Sequence, residues 1–342
     1  MPLPDYNVLP APLWLITTLH LLMLTLHFLA MNLLVGGLIA VLWGKFTNRW
    51  DHPVVKKFVG LFPTAMAATV TLGVAPLLFL QLVYHRQVYS AAIVSGWFWL
   101  GVVVAVIVAY YFLYGAAMSQ RKGAGNKPVY LLIALISLLY VSFIYSSVFS
   151  MAERPALYSR LYAADQSGLI INPEIGDYIF RWLHMIFGAM TVGGFFVGML
   201  GKDNEEAFKV GRGFFLWGMV IASAFGLGYL LSLGEILPKL MRTPAIWALT
   251  LSILLSAGSL HFFFTKRFLP AGLMLSVSLL GMVIMRHYVR LLELSDQFDP
   301  ATIPVKPQWS VFLVFVIFFV IALGLLWYML KLFFDKKQSA SA

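Results

Sequence analysis

Histidines are the residues of this sequence best suited to chemistry, and three of the seven fall deep in apolar segments. His20 and His27 are seven residues apart, so on a helix they share one face and lie roughly 10 Å apart along its axis. In another apolar segment, His184 lies at a depth similar to that of His20. A polar side chain in hydrocarbon is costly and usually has a function, and imidazole is a common ligand of haem iron. We predict His20 and His184 as axial ligands of haem iron and His27 as the next candidate; alternatively, each ring hydrogen-bonds a neighbouring Ser, Thr or carbonyl group.

Two further histidines lie beside arginines at the ends of apolar segments. His85 is followed by Arg86, and His287 lies between Arg286 and Arg290. An interfacial histidine beside an arginine is usually just a hydrated surface residue. The functional alternatives are a haem ligand, a partner of a haem propionate or a donor to a quinone. Both histidines are retained as cofactor-binding candidates.

The neighbours of His184 suit a porphyrin. Arg181 lies about one turn from His184 toward the segment end, where a guanidinium can pair with a propionate; the alternative is that it extends to the interface. Gly188 lies one turn deeper and leaves a flat gap on the helix. The alternative for the glycines of this segment is close helix packing, which suits Gly194 and Gly198 well.

Some chemistry is excluded. The chain has no Cys, so it cannot itself hold covalently attached c-type haem, an iron–sulfur cluster or a thiolate zinc site. No Asp or Glu lies in the middle of any predicted span, where proton pumps usually place carboxylates. Glu235 is the carboxylate predicted to lie nearest the membrane.

These residues must be positioned by membrane helices. Of the 342 residues, 61% are hydrophobic and 11% are charged, whereas soluble domains carry about 25% charged residues. Apolar runs of about 20 residues are typical of helices that cross a bilayer. We predict an all-α, polytopic helical bundle with nine transmembrane helices, at 11–44, 55–84, 91–118, 128–151, 177–200, 212–233, 244–265, 268–292 and 309–334.

The basic residues are unevenly distributed between the two sides of this arrangement. The loops after the first, third, fifth and seventh spans and the C-terminal tail carry 15 Lys/Arg and 5 Asp/Glu, and the other side carries 9 of each. The net charge of +10 therefore lies on one side, which the positive-inside rule assigns to the cytoplasm. This predicts a multi-pass protein of the bacterial inner membrane, with its N-terminus outside, its C-terminus cytoplasmic and no role in nucleic-acid binding.

The spans are predicted to form one membrane domain over 1–335, with a solvated tail at 336–342. The long outer segment 152–176 separates the first four spans from the last five. Segments of this length often bind something, here a partner on the outer face; a plain ordered connector is the alternative.

In the order and spacing of these features the chain resembles subunit I of the cytochrome bd quinol oxidases. The similarity covers about 11–235 and is carried by three stretches, LHLLMLTLHFLAMNLLVGGLIAVLWGKF, VVKKFVGLFPTAMAATVTLGVAPLLFLQLVYH and LHMIFGAMTVGGFFVGMLGKDNEEAFKVGRGFF. The resemblance implies nine spans, an outer N-terminus, and haem ligands at His20 and His184.

The chain also departs from this family. Its third span, AAIVSGWFWLGVVVAVIVAYYFLYGAAM, lacks the family's acidic residues, and the large quinol loop is reduced to LGEILPKLMRTP. The GRQPW signature is absent, with only KPQWS near its place, and Met241 is the nearest candidate for the methionine that completes the helix-five haem. The resemblance therefore implies a retained haem scaffold without the oxygen chemistry.

The resulting expectation is an integral membrane subunit carrying haem b, two or more per chain. It would transfer electrons between a quinol pool, menaquinone or ubiquinone, and a c-type cytochrome partner on the outer face. A layer of Arg86, Glu235, Arg242 and Arg286 is the candidate quinone site. The protein would contact membrane lipid, and a homodimer is a further expectation. The alternatives are a shortened bd-type quinol oxidase and a haem-free anchor or permease subunit of a larger complex.

Overall fold

A computed structural model describes residues 8–49, 52–124 and 127–339. Within these ranges the chain forms eleven α-helices and one short 3-10 helix, Pro300–Thr302. The α-helices are α1 (Leu13–Phe46), α2 (Pro53–Val94), α3 (Gly96–Arg121), α4 (Pro128–Ala152), α5 (Pro155–Ala164), α6 (Gly176–Leu200), α7 (Glu205–Ser232), α8 (Ile236–Leu240), α9 (Ala245–Phe264), α10 (Phe268–Leu294) and α11 (Trp309–Ser339).

Nine of these helices, all except α5 and α8, are long and apolar enough to cross a membrane. The predicted all-α bundle of nine spans is therefore confirmed, and the chain is a multi-pass membrane protein. We call the end of the bundle at which α1 begins the N-terminal face. There Leu9 pairs with Val305 in a single parallel β-bridge, and the described ranges contain no longer β-structure.

The second span differs most from its prediction. It was expected to end at residue 84, before a polar stretch, but α2 continues to Val94. Tyr84 has non-helical angles (φ −116°, ψ 34°) and marks a kink, after which the helix resumes. The continuation forms because Ala91 and Val94 pack in one apolar cluster with residues of α4 and α5. His85 and Arg86 thus lie within a helix and not in a loop.

Smaller differences have similar causes. The helix α7 begins at Glu205, seven residues before its predicted start, and Asn204 caps it by accepting a hydrogen bond from the Ala207 amide at 3.0 Å. The predicted tail is helical as far as Ser339, and residues 340–342 lie outside the described part of the chain. Almost all described side chains of α11 are exposed. In a membrane, lipid would contact them.

The segment 152–176 is ordered by specific hydrogen bonds. It contains α5, and its later part is tied to the spans: the Ser95 hydroxyl donates to the Ile170 carbonyl at 2.6 Å. Asn172, only 2% exposed, donates from its side-chain amide to the Ser150 hydroxyl at 2.7 Å. The segment is therefore an ordered connector, and its binding of a partner on the outer face stays a prediction.

The helix α1 is central and packs against α2, α4, α6 and α10. It meets α6 at Gly36 and Gly193, where the two backbones are in contact. On its other side α6 packs against α7, where a methyl group at Gly194 would collide with the backbone of Phe215. The close packing expected at Gly194 and Gly198 is confirmed: a methyl group at Gly211 of α7 would lie 2.3 Å from the backbone nitrogen of Gly198, and the side chain of Phe263 also packs on Gly198.

This contact gives a stability prediction. In the variant Gly36→Ala the new methyl group would overlap the Ala189 carbonyl group, so α1 and α6 must separate, at a cost of about 1–3 kcal/mol. Thermal unfolding in detergent should occur at a lower temperature than for the wild type. Gly60→Ala is the control, because a methyl group there meets open space. Equal unfolding temperatures for the two variants would contradict the close approach.

Candidate functional site

Three buried or half-buried histidines share one hydrogen-bonding geometry. Their Nδ1 atoms lie close to carbonyl oxygens of a neighbouring span: His20 to Pro76 at 3.0 Å, His27 to Thr69 at 2.9 Å and His184 to Ala222 at 2.7 Å. A carbonyl oxygen only accepts, so Nδ1 is the donor in each neutral ring. Nε2 then carries the unprotonated lone pair. This is the tautomer in which a histidine binds a metal through Nε2, oriented by a hydrogen bond to its other nitrogen.

Helix packing sets the depths of these rings. His27 lies nine residues before Gly36, and His184 lies nine residues before Gly193. Both glycines belong to the α1–α6 contact, so at 1.5 Å per residue each ring is about 13 Å from it. His184 therefore matches His27 in depth, whereas the sequence had matched it to His20.

His20 belongs to a separate group nearer the N-terminal face. It is 7% exposed, and Arg290 and His287 of α10 act on it electrostatically. His287 itself is half-buried, as is His85 beyond the kink of α2. The predicted histidines therefore divide between two depths, with His20 and His287 in one group and His27 and His184 in the other. His261 is exposed at the opposite face.

An unpredicted carboxylate lies at the N-terminal face, where α4 ends. Glu153 is 5% exposed and is paired with three arginines, Arg181 of α6 and Arg286 and Arg290 of α10. Arg290 Nε is 3.3 Å from one Glu153 oxygen, and Arg181 is 3.7 Å from the other. We call these four residues the Glu153 cluster.

The rings around the Glu153 cluster complete its contacts. The Arg286 guanidinium donates to the Tyr229 hydroxyl at 3.2 Å, and the Arg290 guanidinium lies 5.5 Å from the centre of the Tyr84 ring. Arg181 also donates to the Ser146 carbonyl at 2.9 Å. The predicted propionate partner Arg181 is thus buried and oriented by protein groups.

A second set of charges lies beside this cluster. Arg154 is paired with Glu174 at 2.9 Å, with Asp177, and with Glu293 at 3.9 Å. Glu174 is also paired with Arg160 at 3.4 Å. The excess of arginines in the Glu153 cluster thus lies beside a set in which three carboxylates meet two arginines. Sequence analysis missed Glu153 because it assigned the residue to a connecting loop. The sequence does contain a signal for it. Arg181, Arg286 and Arg290 lie near the ends of two predicted spans on the same side, and arginines buried there require a counter-charge.

Burial by itself raises the pKa of the Glu153 carboxyl, but the charges of Arg286, Arg181 and Arg290 outweigh this and hold that pKa below its usual range. The Glu153 carboxyl therefore binds a proton more readily in the unfolded chain than in the folded chain. The ionised carboxylate stabilises the fold fully above the ordinary Glu pKa of about 4.3, and this contribution is lost as the pH falls through the lower pKa of the folded state.

This gives a pH prediction. The unfolding temperatures of wild type and Glu153→Gln, measured between pH 3 and 6, should differ most near pH 6 and converge as the pH falls. A difference that stays constant over this range would show that the Glu153 carboxyl has the same pKa in the folded and the unfolded chain.

The four residues expected to form a quinone layer lie in three parts of the structure. Arg286 belongs to the Glu153 cluster and Arg86 lies in α2, whereas Glu235 and Arg242 flank the short helix α8 and are exposed. The layer as a whole stays a prediction.

Two features near His184 bear on whether a haem fits there. Beside His184, one turn deeper, a methyl group at Gly188 would meet no atom within 4 Å, so space is open on that side of α6. Arg181 lies one turn in the other direction. The part of α6 around His184 and Gly188 lies between two contacts with α10. At one end Arg181 and Arg286 meet through Glu153. At the other end Phe195 packs against Gly272. Among the described residues no three His, Asp or Glu side chains gather into a metal-binding group.

No protein family, curated protein or solved structure matches the chain.

Proposed function

We propose that the protein is a membrane subunit that holds b-type haem and carries electrons between a quinol pool and a c-type cytochrome partner. The observation that carries the proposal is the shared geometry of His20, His27 and His184, each with Nδ1 on a carbonyl oxygen and Nε2 left with its lone pair. The resemblance to subunit I of the cytochrome bd oxidases supports the same conclusion.

His184 is the first ligand we assign, because open space lies beside Gly188 on the same side of α6. His20 is the second ligand we assign, and His287 of α10 is its neighbour. His27 and His85 are further candidates. When bound, the haem supplies reversible one-electron transfer, and the protein tunes it through ligand, burial and hydrogen bonds.

The other residues prepare this environment. The carbonyl groups of Pro76 and Ala222 fix the ring orientation and the tautomer of His20 and His184. Arg181, held by Ser146 and Glu153, supplies a buried positive charge near His184 for a propionate.

We place the N-terminal face on the outside of a bacterial inner membrane. The support is the excess of basic residues on the other side, 15 Lys/Arg against 5 Asp/Glu. Because the chain has no Cys, c-type haem would belong to the partner chain. Partner docking on the outer face then places the electron exit near the Glu153 cluster.

The exposed last span favours a place within an assembly. The described side chains of α11 are almost all uncovered, so a partner helix or a second copy of the chain can pack there in place of lipid. Native mass spectrometry of the chain purified from membranes would register a homodimer or a bound partner.

Electron transfer is tested with the purified chain in lipid vesicles. Adding a reduced quinol should produce the absorption bands of reduced b-type haem, and adding an oxidised soluble c-type cytochrome should then remove them. Oxygen uptake with the quinol alone would instead support the shortened oxidase. A chain whose b-type bands do not respond to quinol would contradict the proposal.

A further inference from the structure

Two spans of the chain carry the same sequence pattern. The stretches HFLAMNLLVGGLIAVLWGK and HMIFGAMTVGGFFVGMLGK begin at His27 of α1 and His184 of α6. In both, VGG follows the histidine after seven residues and GK follows VGG after six. The middle glycines of the two VGG stretches, Gly36 and Gly193, are the residues at which α1 and α6 touch. Contact between equivalent residues is what a two-fold relation between two units produces.

The helix after each of these spans has matching features. The histidine of each stretch donates from Nδ1 to a carbonyl group of that helix, Thr69 in α2 and Ala222 in α7. A glycine lies four residues after each acceptor, Gly73 in α2 and Gly226 in α7. The helix pairs α1–α2 and α6–α7 therefore share the histidine, the acceptor and the glycine, in the same arrangement.

The two glycines lie directly against the histidine rings. A methyl group at Gly73 would be 2.8 Å from both Nδ1 and Cε1 of His27. A methyl group at Gly226 would be 2.9 Å from Nδ1 and 3.1 Å from Cε1 of His184. In each case the three nearest atoms all belong to the histidine side chain. The absent side chain thus gives the ring the room it needs to reach the carbonyl one turn earlier.

His20 does not share this arrangement. Four residues after its acceptor Pro76 the chain has Leu80 in place of a glycine. The residue of α6 that corresponds to His20 in position is Asp177, seven residues before the histidine of that stretch. The contact between ring and glycine therefore belongs to the repeated unit and is not a general property of the buried histidines.

We propose that α1–α2 and α6–α7 are two copies of one unit, in which Gly73 and Gly226 are positioning residues for imidazole ligands of haem iron. The glycine admits the ring, Nδ1 donates to the carbonyl group, and Nε2 keeps its lone pair for the iron. The inference rests on the proposed function. It adds that His27 is held in the same way as His184.

The first test couples each glycine to its histidine through stability. In Gly73→Ala and Gly226→Ala the methyl group displaces the ring, so the unfolding temperature in detergent should fall. In His27→Ala/Gly73→Ala and His184→Ala/Gly226→Ala the ring is absent and the methyl group has room. Each double variant should therefore unfold no lower than the corresponding single histidine variant.

The matched controls are Gly60→Ala and Gly213→Ala. These glycines lie thirteen residues before Gly73 and Gly226 in the same two helices. A methyl group at either position would meet no atom within 4 Å. The controls make the same change to the backbone without touching a ring, so they should not lower the unfolding temperature.

The second test follows the iron ligand. Loss of a group that orients a ligating histidine costs about 10–100-fold in metal affinity. Haem should therefore pass from Gly73→Ala and Gly226→Ala to excess apomyoglobin about tenfold or more faster than from wild type. The two controls should release haem at the wild-type rate.

Several results would overturn the proposal. One is a glycine variant with the unfolding temperature and the haem release of wild type. Another is a methyl group that lowers the unfolding temperature equally with and without the ring. If a glycine variant does not fold, its double variant decides: a folded double variant supports the proposal, and an unfolded one refutes it. Wild type without haem would overturn the proposed function and with it the ligand role, whereas the unfolding temperatures would still report the coupling of glycine and ring.

Discussion

Replacing His184 with Ala should remove one b-type haem from each chain while the protein still inserts and folds. The variant removes the ring whose Nδ1 donates to the Ala222 carbonyl at 2.7 Å and whose Nε2 is the proposed iron ligand. The close backbone contacts of α6 with α1 at Gly36 and with α7 at Gly194 lie deeper than this ring and remain in the variant. The haem-to-protein ratio from a pyridine haemochrome assay should fall by one, and the remaining b-type bands should persist.

His261→Ala is the matched control, since His261 is exposed near the opposite end of the bundle and is not proposed as a haem ligand. It should leave the haem ratio unchanged. Free imidazole added to His184→Ala can occupy the vacated position and should restore part of the lost absorption. Full haem content in His184→Ala, with the wild-type spectrum, would remove His184 as a ligand.

Replacing Glu153 with Ala should give the largest loss of stability. The variant leaves Arg181, Arg286 and Arg290 buried together without their shared carboxylate. Removing one partner of a buried ion pair costs about 3–5 kcal/mol, and two of the three helices that meet here carry His184 and His287. The unfolding temperature in detergent should fall by many degrees, and the yield of folded protein should drop.

The second substitution Arg286→Met serves as the check on this explanation. In Glu153→Ala/Arg286→Met one unpaired charge is removed, so the double variant should be more stable than Glu153→Ala alone. Glu206→Ala is the control for loss of a surface ion pair, because its partner Arg49 is 3.8 Å away and both are exposed; it should change stability by less than about 1 kcal/mol. If Glu153→Ala behaves like Glu206→Ala, the cluster is not a stabilising element.

The nine spans could be predicted from the sequence because bilayer thickness imposes a length and a composition on each helix. The ends were less predictable, since tertiary contacts decide them. The helix α2 continues beyond the polar residues His85 and Arg86 because Ala91, Ala92 and Val94 near its end pack against α4 and α5. No local pattern in the sequence predicts the kink at Tyr84.

The site shows the same division. His20, His27 and His184 stand out in the sequence because a lone polar group in an apolar run is conspicuous. Their grouping by depth could not be predicted, because it depends on the contact between Gly36 and Gly193. Glu153 is one charged residue among many near a loop, and only the folded chain gathers three distant arginines around it.

The central claim is that this chain binds haem, and one measurement tests it most directly. The dithionite-reduced minus oxidised spectrum of the purified chain, with a pyridine haemochrome assay for type and stoichiometry, should show b-type haem at two or more per chain. Purified, folded protein without a Soret band would contradict the account and leave a haem-free anchor or permease subunit in its place.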